Sequence, residues 1–323
     1  MRYFLRAGIC SVCVFTLAMP VALRAQEPGQ VTAGPEGRSP SSNEVSDVVH
    51  LIGLPDAKPG IKGVLKLTPE ALDFSTADIH ALIPYKRITA VSVGNERMEA
   101  GGQAGNVARR LPMGIGPAFS IASQKQVDLF TIEFRDPHEG YHGAVFLLPL
   151  KRAAELKTRI AAEIPTPAAA AVPACTACTA GARMLNSVLI APLEVTGVDL
   201  PAEYRVLLYE NLYNVLRTTR PSDSYLRTGD ISAGPGCTAL TLHVSVVGFK
   251  KGNQALRAAT GPLGMFVGTT SITFNVKLDD GQGKTILDAN VKKSKHGDSN
   301  SLTVARDIAK NISKRIDKAV AKS

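Results

Sequence analysis

Past its first 25 residues the chain has no long apolar run, no arginine-rich stretch with aromatics set between the cations, and only three cysteines. Each shortage excludes something. A helix needs about 20 consecutive apolar residues to cross a hydrocarbon core. The later stretch Ala168 to Val172 is short and flanked by prolines, so no spanning helix is expected there. Aromatic residues are 5% of the chain, too few beside the basic residues for a base-stacking, phosphate-gripping surface, and nucleic acid is not an expected partner. With Cys237 the only cysteine besides Cys175 and Cys178 after residue 25, cysteines alone cannot supply the four ligands of a structural zinc site.

What is present first is an export signal. Arg2 and Arg6 form a positive start, an apolar stretch runs from Ala7 to about Leu23, and small Ala25 precedes Gln26. This pattern reads as a signal peptide over residues 1–25 that is removed on export. The expected location is the periplasm or the exterior, an oxidising compartment. Cys10 and Cys13 lie inside the apolar stretch and neither follows a lipobox, so no lipid anchor is expected. The formal charge of +9 is uneven: residues 183–323 carry 19 basic and 12 acidic side chains, residues 26–182 carry 15 and 16. A basic second half suits an acidic partner such as an anionic membrane surface.

Residues 26–46 are rich in Gly, Pro, Ser, Glu and Gln and are expected to be disordered. From residue 47 to 164 the pattern is β. Gly63 to Leu67 alternates, turns at Thr68-Pro69-Glu70 and returns through Phe74; Val127 to Phe134 and Tyr141 to Leu148 read as a hairpin. Lys151 to Ile164 changes to helical spacing, with Leu156 and Ile160 on one face and Pro165 as the stop. A small antiparallel barrel with one C-terminal helix is the simplest arrangement. The Gly63–Phe74 hairpin, the Ile83-Pro84-Tyr85-Lys86-Arg87-Ile88 passage and the terminal helix resemble the pleckstrin-homology-like superfold. In members of that superfold that bind inositides, a basic first hairpin loop grips the headgroup. Here the loop is Thr68-Pro69-Glu70-Ala71, without a cation, so the resemblance does not carry inositide binding with it.

Residues 165–182 are an Ala/Pro/Thr linker. Residues 183–323 read as β-α-β-β-β-α: a strand near Val188–Leu193, a helix from Pro201 to Leu216, strands at Leu240–Val247, Ser271–Leu278 and Thr285–Val291, and a last helix. The last helix has Leu302, Ala305, Ile308, Ala309, Ile312, Ile316 and Val320 on its apolar face, and Lys310, Lys314 and Lys318 opposite. The strand, the helix, the Gly261–Gly268 loop and the Ile272–Leu278 and Gly283–Leu287 segments, in that order, resemble the domain of unknown function 4410 (DUF4410) family of envelope proteins. That resemblance implies an envelope-assembly fold. Many of its members are lipoproteins, and the missing lipobox is a departure. The expected fold class is therefore α+β, in two domains.

Four motifs invite chemistry. His138-Glu139-Gly140-Tyr141-His142 spells H-E-x-x-H, which binds zinc when both histidines share a helix face. Pro137 and Gly140 set it in a hairpin turn instead, and no metal site is expected. Cys175-Thr176-Ala177-Cys178 is a C-x-x-C without a following helix to lower a thiol pKa. It reads as a local disulfide, or as a bond involving Cys237, with one thiol left over. The Gly261–Gly268 loop lacks the Lys and Ser/Thr of a phosphate cradle, and its Leu263, Met265 and Phe266 read as packing or as an apolar contact loop. Asp279-Asp280 sits in a turn as a solvation position. No catalytic residue and no cofactor is expected. The leading expectation is a non-catalytic binding or scaffolding protein of the envelope with envelope proteins as partners, the alternative a peripheral membrane-surface module, and less favoured a zinc protease or thiol oxidoreductase.

Overall fold

The computed structural model describes residues 43–99, 124–164, 184–230, 237–252, 270–295 and 303–321. Alternating stretches and, in β7, a continuous apolar run make seven antiparallel strands in the first half: β1 (Glu44–Ile52), β2 (Ile61–Leu67), β3 (Ala71–Ser75), β4 (His80–Pro84), β5 (Ile88–Glu99), β6 (Gln124–Arg135) and β7 (Tyr141–Leu148), followed by α1 (Arg152–Glu163). Their order in the sheet is β4-β3-β2-β1-β7-β6-β5. Thr68 shapes the β2–β3 turn, its Oγ1 donating to the Ala71 carbonyl (2.7 Å) and accepting the Ala71 N–H (3.1 Å). One face of the sheet buries Leu65, Phe74, Phe130, Ile132 and Phe146 under Ala153, Leu156 and Ile160 of α1. Asp128 of β6 accepts the Ala153 N–H, satisfying a first-turn donor of α1 that Lys151, in a left-handed conformation, leaves open.

Two expectations change here. The sheet is not a closed barrel: β4 and β5 are its two outer strands and do not pair. The chain turns between them through a 3-10 turn, Tyr85–Arg87, pinned by the Tyr85 hydroxyl donating to the Thr68 carbonyl (2.8 Å). Also, β1 begins at Glu44, inside the stretch whose composition reads as disordered. Val45 is buried and pairs with Leu65, which holds those residues in the sheet.

The second half contains β8 (Met184–Ile190), β9 (Glu194–Val195), α2 (Ala202–Thr219), β10 (Ser224–Arg227), β11 (Thr238–Lys250), β12 (Thr270–Asp280), β13 (Thr285–Lys295) and α3 (Val304–Val320). The sheet order is β10-β8-β11-β12-β13, with β9 beside β11. The β10–β8, β8–β11 and β9–β11 pairs are parallel, the rest antiparallel. The class is α+β, with two mostly antiparallel sheets. β9 and β10 are additions to the expected order; at two and four residues they are too short to show a period. Along β12 alternate residues Ile272, Phe274, Val276 and Leu278 are fully buried toward α2 and α3. Among the described residues no helix is long and apolar enough to cross a membrane.

α2 is what joins the halves. Glu203, Tyr204, Val206, Leu207, Leu208, Tyr209, Glu210, Leu212 and Leu216 are all buried, which a helix covered on one side only could not achieve. Val206 and Glu210 meet Gly143 of β7, and Glu203 meets Gly94 of β5. Tyr204 packs on Phe249 of β11, and the Tyr209 hydroxyl reaches the Ile190 carbonyl of β8 (3.3 Å). One apolar cluster accordingly runs from Ile52, Leu129, Val145 and Leu147 of the first sheet through α2 into the second sheet and α3.

Candidate functional site: a cleft where the two sheets meet

The H-E-x-x-H segment lies at one wall of this seam, and its local structure is a turn. Asp136 organises it. Oδ1 accepts the N–H groups of His138 (2.8 Å) and Gly140 (2.9 Å), and Oδ2 bonds His142 Nε2 (3.0 Å). Glu139 adopts a left-handed φ of 66°. His138 is exposed on the turn, while His142 is buried on β7, stacked against Phe134. The helix face that zinc chemistry requires is not formed, and among the described residues no three His, Cys, Asp or Glu side chains cluster to hold a metal. Burial pushes Asp136 up, but His142 and the two amides outweigh it and hold the carboxyl below its ordinary value. Burial first, then the Arg227 charge, lowers His142.

Across from His142 sits a buried ion pair that joins three elements. Arg227 of β10 donates to both Glu210 oxygens (2.7 and 2.9 Å) and to the Tyr141 carbonyl (3.0 Å). Its guanidinium lies 3.8 Å from the centre of the Tyr213 ring. Glu210 also accepts the Gly143 N–H (3.1 Å). Burial disfavours the Arg227 charge, yet Glu210 more than offsets this and raises the guanidinium above its usual range. Beside this pair Tyr141 donates to Glu133 (2.9 Å), which also bonds Arg205 of α2.

Asp136, His142, Glu210, Tyr213 and Arg227 line a cleft of about 770 Å³. Its other walls are the Gly53–Pro59 loop after β1 and the C-terminal half of α2 with Asn214, Arg217 and Thr218. The loop is held by fully buried His50, whose Nε2 accepts the Leu54 N–H (3.1 Å) while Nδ1 lies 3.3 Å from the Lys58 carbonyl oxygen. That pattern fixes the neutral, Nδ1-protonated ring, and burial lowers its pKa. Exposed Lys58, Arg217 and Asn214 leave the cleft mouth polar.

The remaining sequence candidates lie elsewhere. Cys237 is disulfide-bonded, and its carbonyl accepts the Met184 N–H (2.9 Å), placing it at the paired starts of β8 and β11. Cys175 and Cys178, like Leu263, Met265 and Phe266, lie outside the described residues. Asp280 closes its own turn by accepting the Gln282 and Lys284 N–H groups, and Asp279 bonds Lys277 and Thr285, whose contacts lower its carboxyl. Glu210 and Arg227 escaped the sequence reading. Their signal was a charge inside the largely apolar stretch Val206–Leu212 and another directly after Tyr225-Leu226.

No family model matches the sequence, and no curated protein matches it. Among solved structures the chain is similar to the hypothetical protein CT253 from Chlamydia trachomatis, at 9% identity over 43% of this chain and 99% of that one, with a TM-score of 0.32. It is also similar to PelC, a dodecamer from Paraburkholderia phytofirmans, at 11% identity over 39% of this chain and 85% of that one, with a TM-score of 0.30. A third is protein XCC0632 from Xanthomonas campestris, of DUF330, at 14% identity over 45% of this chain and 92% of that one, with a TM-score of 0.24.

Proposed function

We propose that this chain is an exported, non-catalytic binding protein of the cell envelope, and that it engages a partner protein through the cleft between its two sheets. The observation that carries this reading is how the cleft's strongest charges are used. Both Glu210 oxygens and the Arg227 fork are taken up by each other and by backbone groups, and Asp136 is taken up by His142 and two amides. A general base or nucleophile needs a lone pair aimed at open space. These groups shape and stiffen the walls, while Asn214, Arg217 and Lys58 at the mouth stay exposed for contact.

Other features support the same account. The tripartite signal in residues 1–25 supports delivery to the periplasm or exterior. The order β4-β3-β2-β1-β7-β6-β5 with one following helix supports a PH-like layout, opened between β4 and β5. The strand, helix and final helix of the second half support kinship with DUF4410 envelope proteins.

A photo-crosslinking side chain placed at Asn214 in producing cells tests this reading, with the same probe at Asn275 on the far sheet as control. A defined protein adduct at Asn214, lost on Arg217→Glu and absent at Asn275, is the expected result. Equal labelling at both positions, or none at Asn214, would overturn it. So would a hydrolytic activity of the purified protein that disappears in His142→Ala.

A further inference from the structure

A different surface carries a row of cations. Arg306, Lys310, Lys314 and Lys318 follow one another at four-residue intervals along α3, all exposed. At about 6 Å of rise per step they form one ridge up the helix. None of the four has an ion-pair or hydrogen-bond partner among the described residues. The acids on the helix have interactions of their own: Asp317 reaches Arg220, just after α2 (3.6 Å), and Asp307 is half-buried and engaged.

The ridge is also fixed in place. Val304, Ile308, Ile312 and Ile316 on the opposite side are buried in the shared core, and the Ser313 hydroxyl bonds that of Thr219 on α2 (2.8 Å). A row of cations on a helix packed into the core adds its charges without first having to order the backbone that holds them. Folding alone gives no reason for four charges in line without partners among the described residues, since neighbouring like charges on one helix face repel.

We infer that this ridge docks the protein on an anionic phospholipid bilayer. The choice of partner follows from what accompanies the cations. Three of the four are lysines, compact point charges rather than the planar fork that grips individual phosphates bidentately. α3 contains no aromatic residue on which bases could stack. A row of cations without partners among the described residues, three of them ammonium groups, suits a partner recognised by its field alone, and a charged lipid surface is such a partner. This inference does not depend on the cleft.

The test is co-sedimentation of the full chain with vesicles of phosphatidylcholine, with and without one-quarter phosphatidylglycerol. Binding to the anionic vesicles alone is expected, falling as salt rises. The double variant Lys310→Glu/Lys314→Glu should weaken it by at least about thirtyfold. The matched reversal Lys284→Glu/Lys292→Glu, at exposed positions at and beyond the β12–β13 turn, should change it far less. If the ridge reversal fails to fold, as judged by its thermal unfolding, Lys310→Ala/Lys314→Ala is read instead. Equal losses in both reversals would mean diffuse net charge and would overturn the proposal. So would no binding to anionic vesicles, or binding to dextran sulfate without binding to vesicles.

Discussion

At Gly143 a side chain would begin 2.6 Å from Val206 Cγ1, closer than any real Cβ contact, so glycine is what lets α2 lie against β7. Gly143→Ala should push the helix outward and lower stability by about 1–3 kcal/mol, the usual cost of overpacking a core. Urea unfolding checks this, and a midpoint unchanged from wild type would show that the helix yields freely. One turn on, the Glu210–Arg227 pair sets a sharper test. Glu210→Leu alone strands a buried guanidinium and should cost about 3–5 kcal/mol, whereas Glu210→Leu with Arg227→Met should recover most of that loss. If the double variant is as unstable as the single one, the pair contributes more than mutual neutralisation. Arg227 would then matter chiefly through its bond to the Tyr141 carbonyl and its stacking on Tyr213.

The loop after β1 and the β6–β7 hairpin each rest on a buried histidine, and burial disfavours the charged ring in both. Burial holds His50 and His142 below their ordinary value of 6.5. Between that value and the folded pKa the unfolded chain binds more protons, so the stability these rings contribute is complete above about pH 6.5 and is lost as pH falls below it. Protonation of His50 also replaces the acceptor for the Leu54 N–H with a donor, loosening the loop that walls the cleft. Asp136 acts in a lower window. Its depressed carboxyl contributes stability above the ordinary value of 3.8, which is lost in stronger acid. Unfolding midpoints at about pH 7.5 and about pH 5.5 should therefore drop for the wild type and drop less for His50→Gln. Equal drops would place the acid sensitivity elsewhere. These elements differ in how far sequence exposes them. The β2–β3 hairpin is legible because period-two alternation and turn residues agree, and the β6–β7 hairpin because β-rich apolar runs flank a Pro/Gly turn. β10 is not, because four residues carry no period and its last, Arg227, is buried only by virtue of Glu210, 17 positions away in the chain.

Over the whole described molecule, the feature that sequence hid best is the sharing of a core between the two halves. The stripe Tyr204, Leu207, Leu208, Leu212, Leu216 announces a helix with one apolar face, as on any surface helix. Val206 and Tyr209 fall off that stripe and look like ordinary scatter, until β7 and the Arg227–Glu210 pair are placed against them. The information was long-range, because the residues that bury Val206 are more than 60 positions earlier. A helix that fills both sheets leaves neither half a complete core of its own: without α2, the first sheet would expose Leu129, Val145 and Leu147. The described halves should therefore unfold together. Calorimetry should give one peak whose van't Hoff and calorimetric enthalpies agree. Val206→Asp, which sets a charge against β7, should lower that peak as a unit by tens of degrees or abolish it. Two resolved transitions in the wild type, or a Val206→Asp protein in which only one half melts early, would mean that the Gly143 contact is a surface apposition and that each sheet stands on its own core.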